Sequence, residues 1–377
     1  MSLTVLNAGE ALTRMSDFDA LIDARSEAEY AMDHLPGAVN WPTLDNEQRR
    51  DIGTLYQQVN PFEARKRGAM LAARNIATHI ERHVLEQPRD WRPLAYCWRG
   101  GQRSGALALI LGQIGFRVTQ LEGGYKAFRA AMIKDIERLV PTLHFRVVCG
   151  PTGSGKTRLL QALSAQGAQV IDLEALARHR SSVLGALPGL EQPSQKRFDT
   201  LIWNTLRQFD PKRPVYVESE SKKVGNVAVP LPLMHAMRQS PCLNMQLSDE
   251  QRVDLLLEDY AYFSTDPGAL CDRLEVLIPL RGRAVVQTWQ ALARQGALAA
   301  VVWELLITHY DPAYAQSIER NFECFKNAKT IAPTDRSASA MAELAAQLIK
   351  GEELADQCTL GQFVVTGVLP SPESPDS

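Results

Sequence analysis

What the chain lacks narrows its class first. Its 377 residues include six cysteines, none in a C-x-x-C pair, which argues against a zinc site or a disulfide framework. No apolar run approaches the length needed to cross a bilayer. The first residues, MSLTVLNAGEALTRM, lack the basic start and apolar stretch of a secretory signal. A cytoplasmic location with no membrane contact is therefore expected, where thiols stay reduced and free for chemistry. Charge of one sign is also missing. A formal net charge of −2 gives no global attraction for nucleic acid, so any RNA contact must come from local basic patches. Arg49, Arg50, Arg65, Lys66, Arg67 and Arg74 lie in a stretch, Glu47 to Glu86, that reads as helical; such charges more often form a solvated face than an RNA site. There is no internal repeat. The length exceeds what one hydrophobic core usually serves, so two domains are expected.

What is present is a phosphate loop. Phe145 to Thr157, FRVVCGPTGSGKT, is a short apolar run passing into G-x-x-x-x-G-K-[ST]. It reads as a strand feeding a cradle in which Gly150, Gly153 and Gly155 let the backbone turn its N–H groups, with Ser154, onto one centre. The helix starting near Lys156 aims its positive end there. Lys156 supplies a point charge, and Thr157 a hydroxyl able to hold Mg²⁺. Such a loop recognises a phosphate chain and leaves open what is attached to it. Pro214 to Glu220 reads as an apolar strand ending in acid, and Glu218 is the candidate partner for Mg²⁺ or its waters. A solvated strand end would look the same.

A second chemical element precedes it. Arg92 to Ser104, RPLAYCWRGGQRS, places Cys97 at the end of a strand, with Gly100-Gly101 bending the backbone around it and Ser104 expected to cap the next helix. Loop N–H groups, the helix N-terminus and Arg99 or Arg103 would favour a thiolate. Further strands are expected at 19–23, 116–121 and 168–173, and an apolar helix at 198–209. Ser248 to Leu306 reads as helical and as a cover for the sheet, with Met234, Met237, Trp289 and Trp303 in the core. Strands alternating with helices imply parallel sheets with right-handed crossovers. The end, LPSPESPDS, is a disordered tail by composition.

The N-terminal portion resembles a rhodanese domain. The matching residues are Asp23-Ala24-Arg25-Ser26 with Glu29-Tyr30, His34 to Asn40, the Cys97 loop, and Leu121 to Gly124. That resemblance implies a loop cysteine carrying a persulfide. Cys97 to Arg103 also fits C-x5-R-S, the phosphate loop of cysteine phosphatases that share this fold, although Tyr96 stands where many of those have His. Fused in this order, CWRGGQRS, GPTGSGKT, IDLEALARHRSSVLG, VYVESESKKVG and HYDPAYAQS make the chain resemble the tRNA 2-selenouridine synthase family from about Asp23 to Tyr314. The expected α/β architecture is a rhodanese-like domain over 1–140, a P-loop NTPase-like parallel-sheet domain with a mainly helical extension over 141–368, and a tail over 369–377.

The resemblance implies a transferase replacing the sulfur of wobble 2-thiouridine in tRNA by selenium. Geranyl diphosphate would alkylate the sulfur, and selenophosphate would supply selenium. Both donors present phosphate oxygens for Lys156 and the loop amides, while Cys97, with Arg99 and Arg103, would carry selenium as a selenosulfide. Geranyl diphosphate and selenophosphate enter as substrates rather than cofactors, and Mg²⁺ is the one cofactor the phosphate loop leaves room for. The alternative is a cysteine-dependent phosphatase or persulfide carrier fused to an ATP-binding P-loop module.

Overall fold

Short apolar runs build two parallel sheets. The computed structural model describes residues 4–182 and 184–364, so the tail expected at 369–377 lies outside the described residues. The first sheet holds β1 (Thr4–Leu6), β2 (Ala20–Asp23), β3 (Val39–Asn40), β4 (Pro93–Tyr96) and β5 (Thr119–Leu121) in the order β1-β5-β4-β2-β3. Then come β6 (His144–Cys149), β7 (Gln169–Ile171), β8 (Pro214–Glu218), a small antiparallel hairpin of β9 (Lys223–Val224) and β10 (Val227–Ala228), β11 (Cys242–Met245) and β12 (Lys329–Ile331). These form a second parallel sheet in the order β12-β11-β6-β8-β7. Every residue of the central strand β4 is buried, because helices cover both sides of the first sheet.

The helix Gly124–Leu139 joins the two sheets. Its buried Tyr125, Phe128, Met132 and Ile136 belong to one continuous core with Leu21, Leu94 and Leu121 of the first sheet and Val147, Val215 and Val217 of the second. Phe128 meets Trp203 of the helix Gln195–Leu206 edge to face, with centroids 5.5 Å apart. Such burial is worth roughly 1.5–3 kcal/mol per large apolar side chain, so the two units stabilise each other through this helix. Strand alternation does the rest. Val148 and Tyr216 point to the opposite face, where the helices Lys156–Ala165 and Ala338–Val364 pack Leu159, Leu163, Met341 and Leu344 onto them.

Several details depart from expectation. The stretch from Glu47 to Glu86 is helical but broken, as Asn46–Gln58 and Pro61–His83, because Asn60 caps a helix whose first residue is proline. The helical segment after Ser248 does not cover the sheet. It forms its own core around Trp289, Leu274, Leu277, Val286 and Val301, and the sheet is covered by Ala338–Val364 instead. Met234, Met237 and Trp289 are core residues, whereas Trp303 is 39% exposed.

Candidate active site

Register places the phosphate loop beside acid. Val148 pairs with Glu218, so the loop leaving β6 and the end of β8 emerge together at the carboxyl edge of the sheet, where open parallel sheets bind ligands. Gly150 must be glycine there. A Cβ would lie 2.5 Å from Ser154 Oγ and 2.7 Å from the Met245 carbonyl, at a φ of +152°. Gly155 (φ 88°) caps the helix Lys156–Ala165. Lys156 Nζ curls into its own loop, donating to the Gly150 carbonyl at 2.7 Å and to Pro151 at 3.3 Å. Ser154 Oγ is buried and has no hydrogen-bond partner, a hydroxyl held ready inside the cradle. A cavity of 740 Å³ opens over the loop.

Three carboxylates close one side of it. Oxygen atoms of Glu174, Glu218 and Glu220 lie within 4.8 Å of one another. Glu218 accepts from the Glu174 N–H at 3.0 Å through Oε1, while its Oε2 is buried without a partner. Burial, then repulsion from Glu174, Glu220 and Asp172, push Glu218 well above the usual carboxylate range. Burial and the Glu174 charge push Glu220 up to about 8. Thr157 Oγ1 donates to Glu174 Oε2 at 3.4 Å. Crowded carboxyl oxygens with one orphaned atom and a neighbouring hydroxyl fit a hard divalent cation such as Mg²⁺, which would relieve their repulsion.

The far end of the chain holds the loop in place. Tyr314 Oη accepts from the Gly150 N–H at 2.7 Å. Arg252 is 5% exposed; it donates to the Thr152 carbonyl at 2.9 and 3.0 Å and binds Asp311 bidentately at 2.5 and 3.0 Å. The loop is thus held at two points, Gly150 and Thr152.

Cys97 follows β4 and is buried. Its Sγ receives the Ser104 hydroxyl at 3.4 Å, and Gln120 Nε2 donates to Ser104 Oγ and to the Gly101 carbonyl, each at 2.8 Å. Ser104 is not the expected cap. The helix Gln102–Ile114 is capped by Gly101 (φ 71°), and Ser104 sits one turn in, which aims its hydroxyl back at the sulfur. The loop is also braced from behind. Tyr125 and Lys126 N–H groups donate to the Cys97 and Trp98 carbonyls at 2.8 and 3.0 Å. A Cβ on Gly124 would sit 2.3 Å from the Cys97 carbonyl oxygen, so this approach needs glycine.

Residues 7–131 match the rhodanese-like domain family, and residues 143–267 match the family described as the tRNA 2-selenouridine synthase AAA domain. A tRNA 2-selenouridine synthase from Nitrosomonas europaea is 36% identical over 283 residues, spanning 73% of this chain and 71% of that protein. One from Cupriavidus necator is 32% identical over 352 residues, spanning 85% and 92%. The chain belongs to the tRNA 2-selenouridine synthase family. Its rhodanese-like unit and its P-loop unit are the two parallel sheets already described. Among the described residues no helix is long and apolar enough to cross a membrane.

Within this family member the expected residues fall into two places. Gly150, Gly153, Gly155, Lys156 and Thr157 line one cavity with Ser154 and Glu218 buried beside it, and Cys97 and Arg103 lie at another loop. Arg103 is held by a carboxylate from the helix Glu27–Met32. It forms an ion pair with Glu29 at 2.6 Å, while Arg99 is exposed. Sequence reasoning missed Glu174, Glu220, Arg252 and Asp311 as site residues. The signal for Glu220 was the alternation Glu218-x-Glu220, and for Asp311 and Tyr314 the HYDPAYAQS segment. It also missed the joint between the units. Asp33, 1% exposed, receives Tyr125 Oη at 2.7 Å and Thr200 Oγ1 at 2.8 Å, and Arg129 bridges to Asp199 at 2.6 Å. Burial raises the Asp33 carboxyl, opposed by those two hydroxyls.

Proposed function

We propose that the chain replaces the sulfur of wobble 2-thiouridine in tRNA by selenium, in two stages served by its two loops. The observation that carries this reading is a phosphate cradle, with Lys156 folded into it and Ser154 unpartnered, in the same chain as a braced loop cysteine. The names of the relatives support the overall reaction. In the first stage the thiouridine sulfur attacks the allylic carbon of geranyl diphosphate. The C–O bond breaks, diphosphate leaves with the electron pair, and the ring nitrogen loses its proton. Lys156, Ser154 and the loop N–H groups meet the charge that builds on the departing oxygens. Mg²⁺ held by Thr157 and the carboxylate trio would neutralise part of that charge. Alkylation turns a poor leaving group into a thioether-like one.

In the second stage the selenium of selenophosphate attacks C2, and geranylthiol leaves. Electron count then revises the expected part of Cys97. Selenium in selenophosphate is already at the selenide level, so a selenosulfide on Cys97 would need a two-electron oxidant that the reaction does not supply. The product of displacement is instead a C2–Se–P linkage. Cys97 thiolate attacks phosphorus, the Se–P pair returns to selenium to give selenouridine, and water releases phosphate from the cysteine. The C-x5-R-S spacing suits a phosphoryl group in that loop. Ser104 donates its hydroxyl to the Cys97 sulfur, and Glu29 holds Arg103 at the loop. Lys156→Ala tests the first stage. At saturating tRNA and donor, nucleoside mass spectrometry should find geranylated thiouridine nearly absent, while tRNA already geranylated is still selenated. A normal geranylation rate would remove the P-loop from the alkylation.

A further inference from the structure

We propose that an aliphatic slot in the helical lobe, opening off the phosphate cavity, takes the hydrocarbon tail of the diphosphate donor and sets its chain length. This rests on the reading of the P-loop as a prenyl diphosphate site. The slot and the cavity share Thr152, Ser182, Leu256, Tyr260 and Tyr310 as lining residues, so the two spaces adjoin across these side chains. Thr152 belongs to the loop itself. Past that neck, Ser264 is the sole polar lining residue among the described ones; Leu270, Leu298, Val301, Val302 and Leu305 are typical of the others. A ribose and base would be left there without hydrogen-bond partners, which is costly for buried polar groups, whereas an isoprenoid loses nothing.

The backbone ties slot to loop. A π-helical turn, Leu306–Tyr310, separates the helix Leu298–Leu305 from the helix Asp311–Asn321. Such turns interrupt helices frequently at functional positions. Here Leu305 and Leu306 line the slot, Tyr310 lines its neck, and Asp311 and Tyr314 grip the phosphate loop through Arg252 and Gly150. Tyr260 and Tyr310 line the neck between head and tail, and the Arg180 guanidinium lies over the Tyr260 ring at 4.5 Å, a cation at the diphosphate end of the passage. The slot encloses 60 Å³, about two waters at ~30 Å³ each, so a geranyl chain enters only as the leucine and valine side chains part. That is the means of selection: each further isoprene unit must displace more of the lobe core.

The test compares dimethylallyl, geranyl and farnesyl diphosphate as donors to thiouridine tRNA, with products read by mass spectrometry. Wild type is set against Val302→Phe, which narrows the slot, and Leu298→Ala, which widens it. Both residues are partly exposed, so both variants should fold, and product ratios are insensitive to the amount of folded protein. Val302→Phe should lower the geranyl to dimethylallyl ratio on the order of tenfold or more, and Leu298→Ala should raise the farnesyl to geranyl ratio by about as much. If wild type transfers geranyl and both ratios stay at wild-type values, the slot does not hold the tail, although the P-loop reading stands. If wild type transfers none of the three, the P-loop reading itself fails and the slot assignment falls with it.

Discussion

Replacing Glu220 by glutamine should stabilise the protein, and by an amount that depends on pH. Burial, together with the neighbouring Glu174 charge, pushes the Glu220 carboxyl up to about 8 from its ordinary 4.5. A raised carboxyl pKa means that the folded state holds a proton which the unfolded chain has released. Stability from this group is therefore full below about pH 4.5 and is lost as pH rises toward 8. At 1.36 kcal/mol per pKa unit, folding with this carboxyl costs about 3 kcal/mol at pH 7 and about 1 kcal/mol at pH 5. Glutamine has no such cost and can donate toward Glu174. The variant should thus melt several degrees above wild type at pH 7, with the gap shrinking by roughly two-thirds at pH 5. Millimolar Mg²⁺ should close the same gap from the other side by raising the wild-type melting temperature more than the variant's. Thermal melts at the two pH values, with and without Mg²⁺, provide the measurement. A gap that does not change with pH would mean that Glu220 titrates like an exposed carboxylate, and the crowded-trio argument would fail.

Cys97→Ala should abolish selenation while geranylated tRNA accumulates, because alkylation needs no protein thiol; nucleoside mass spectrometry at wild-type selenation would refute this. Gly124→Ala should destabilise by more than about 2 kcal/mol, since its φ of +57° and its 2.3 Å approach to the Cys97 carbonyl leave no room for a Cβ. Gly112→Ala is its control, helical with nothing within 4 Å, and should raise stability by up to about 1 kcal/mol in the same melts. Affinity for tRNA should fall steeply with salt if clustered cations such as Arg65-Lys66-Arg67 and Lys222-Lys223 neutralise its phosphates. Filter binding that stays flat between low and physiological salt would sink that idea.

Local sequence determined a great deal here, because the decisive features are local in physics. A glycine that must take positive φ, a lysine that follows it, or an apolar run of strand length acts through its immediate neighbours, so Gly150, Gly155, Lys156 and the Cys97 loop were legible as written. So were the parallel sheets, since strand and helix signals alternate along the chain. Other features depend on what folding brings together. Glu174 lies 44 residues before Glu218, and nothing near either marks them as partners; the order β6-β8-β7 joins them. Arg252 reads as one more charge on a helix until packing places Asp311 and the Thr152 carbonyl against it and removes the water. Ser104 looked like a cap from its spacing, yet Gly101 takes that position because a glycine tolerates the left-handed turn beside Gln120. The short strands Cys242–Met245 and Lys329–Ile331 carry weak patterns and exist because β6 offers an edge to the first, which offers one to the second. Sequence determined which groups could do chemistry; burial and strand order, which act across long separations, decided which of them share a site.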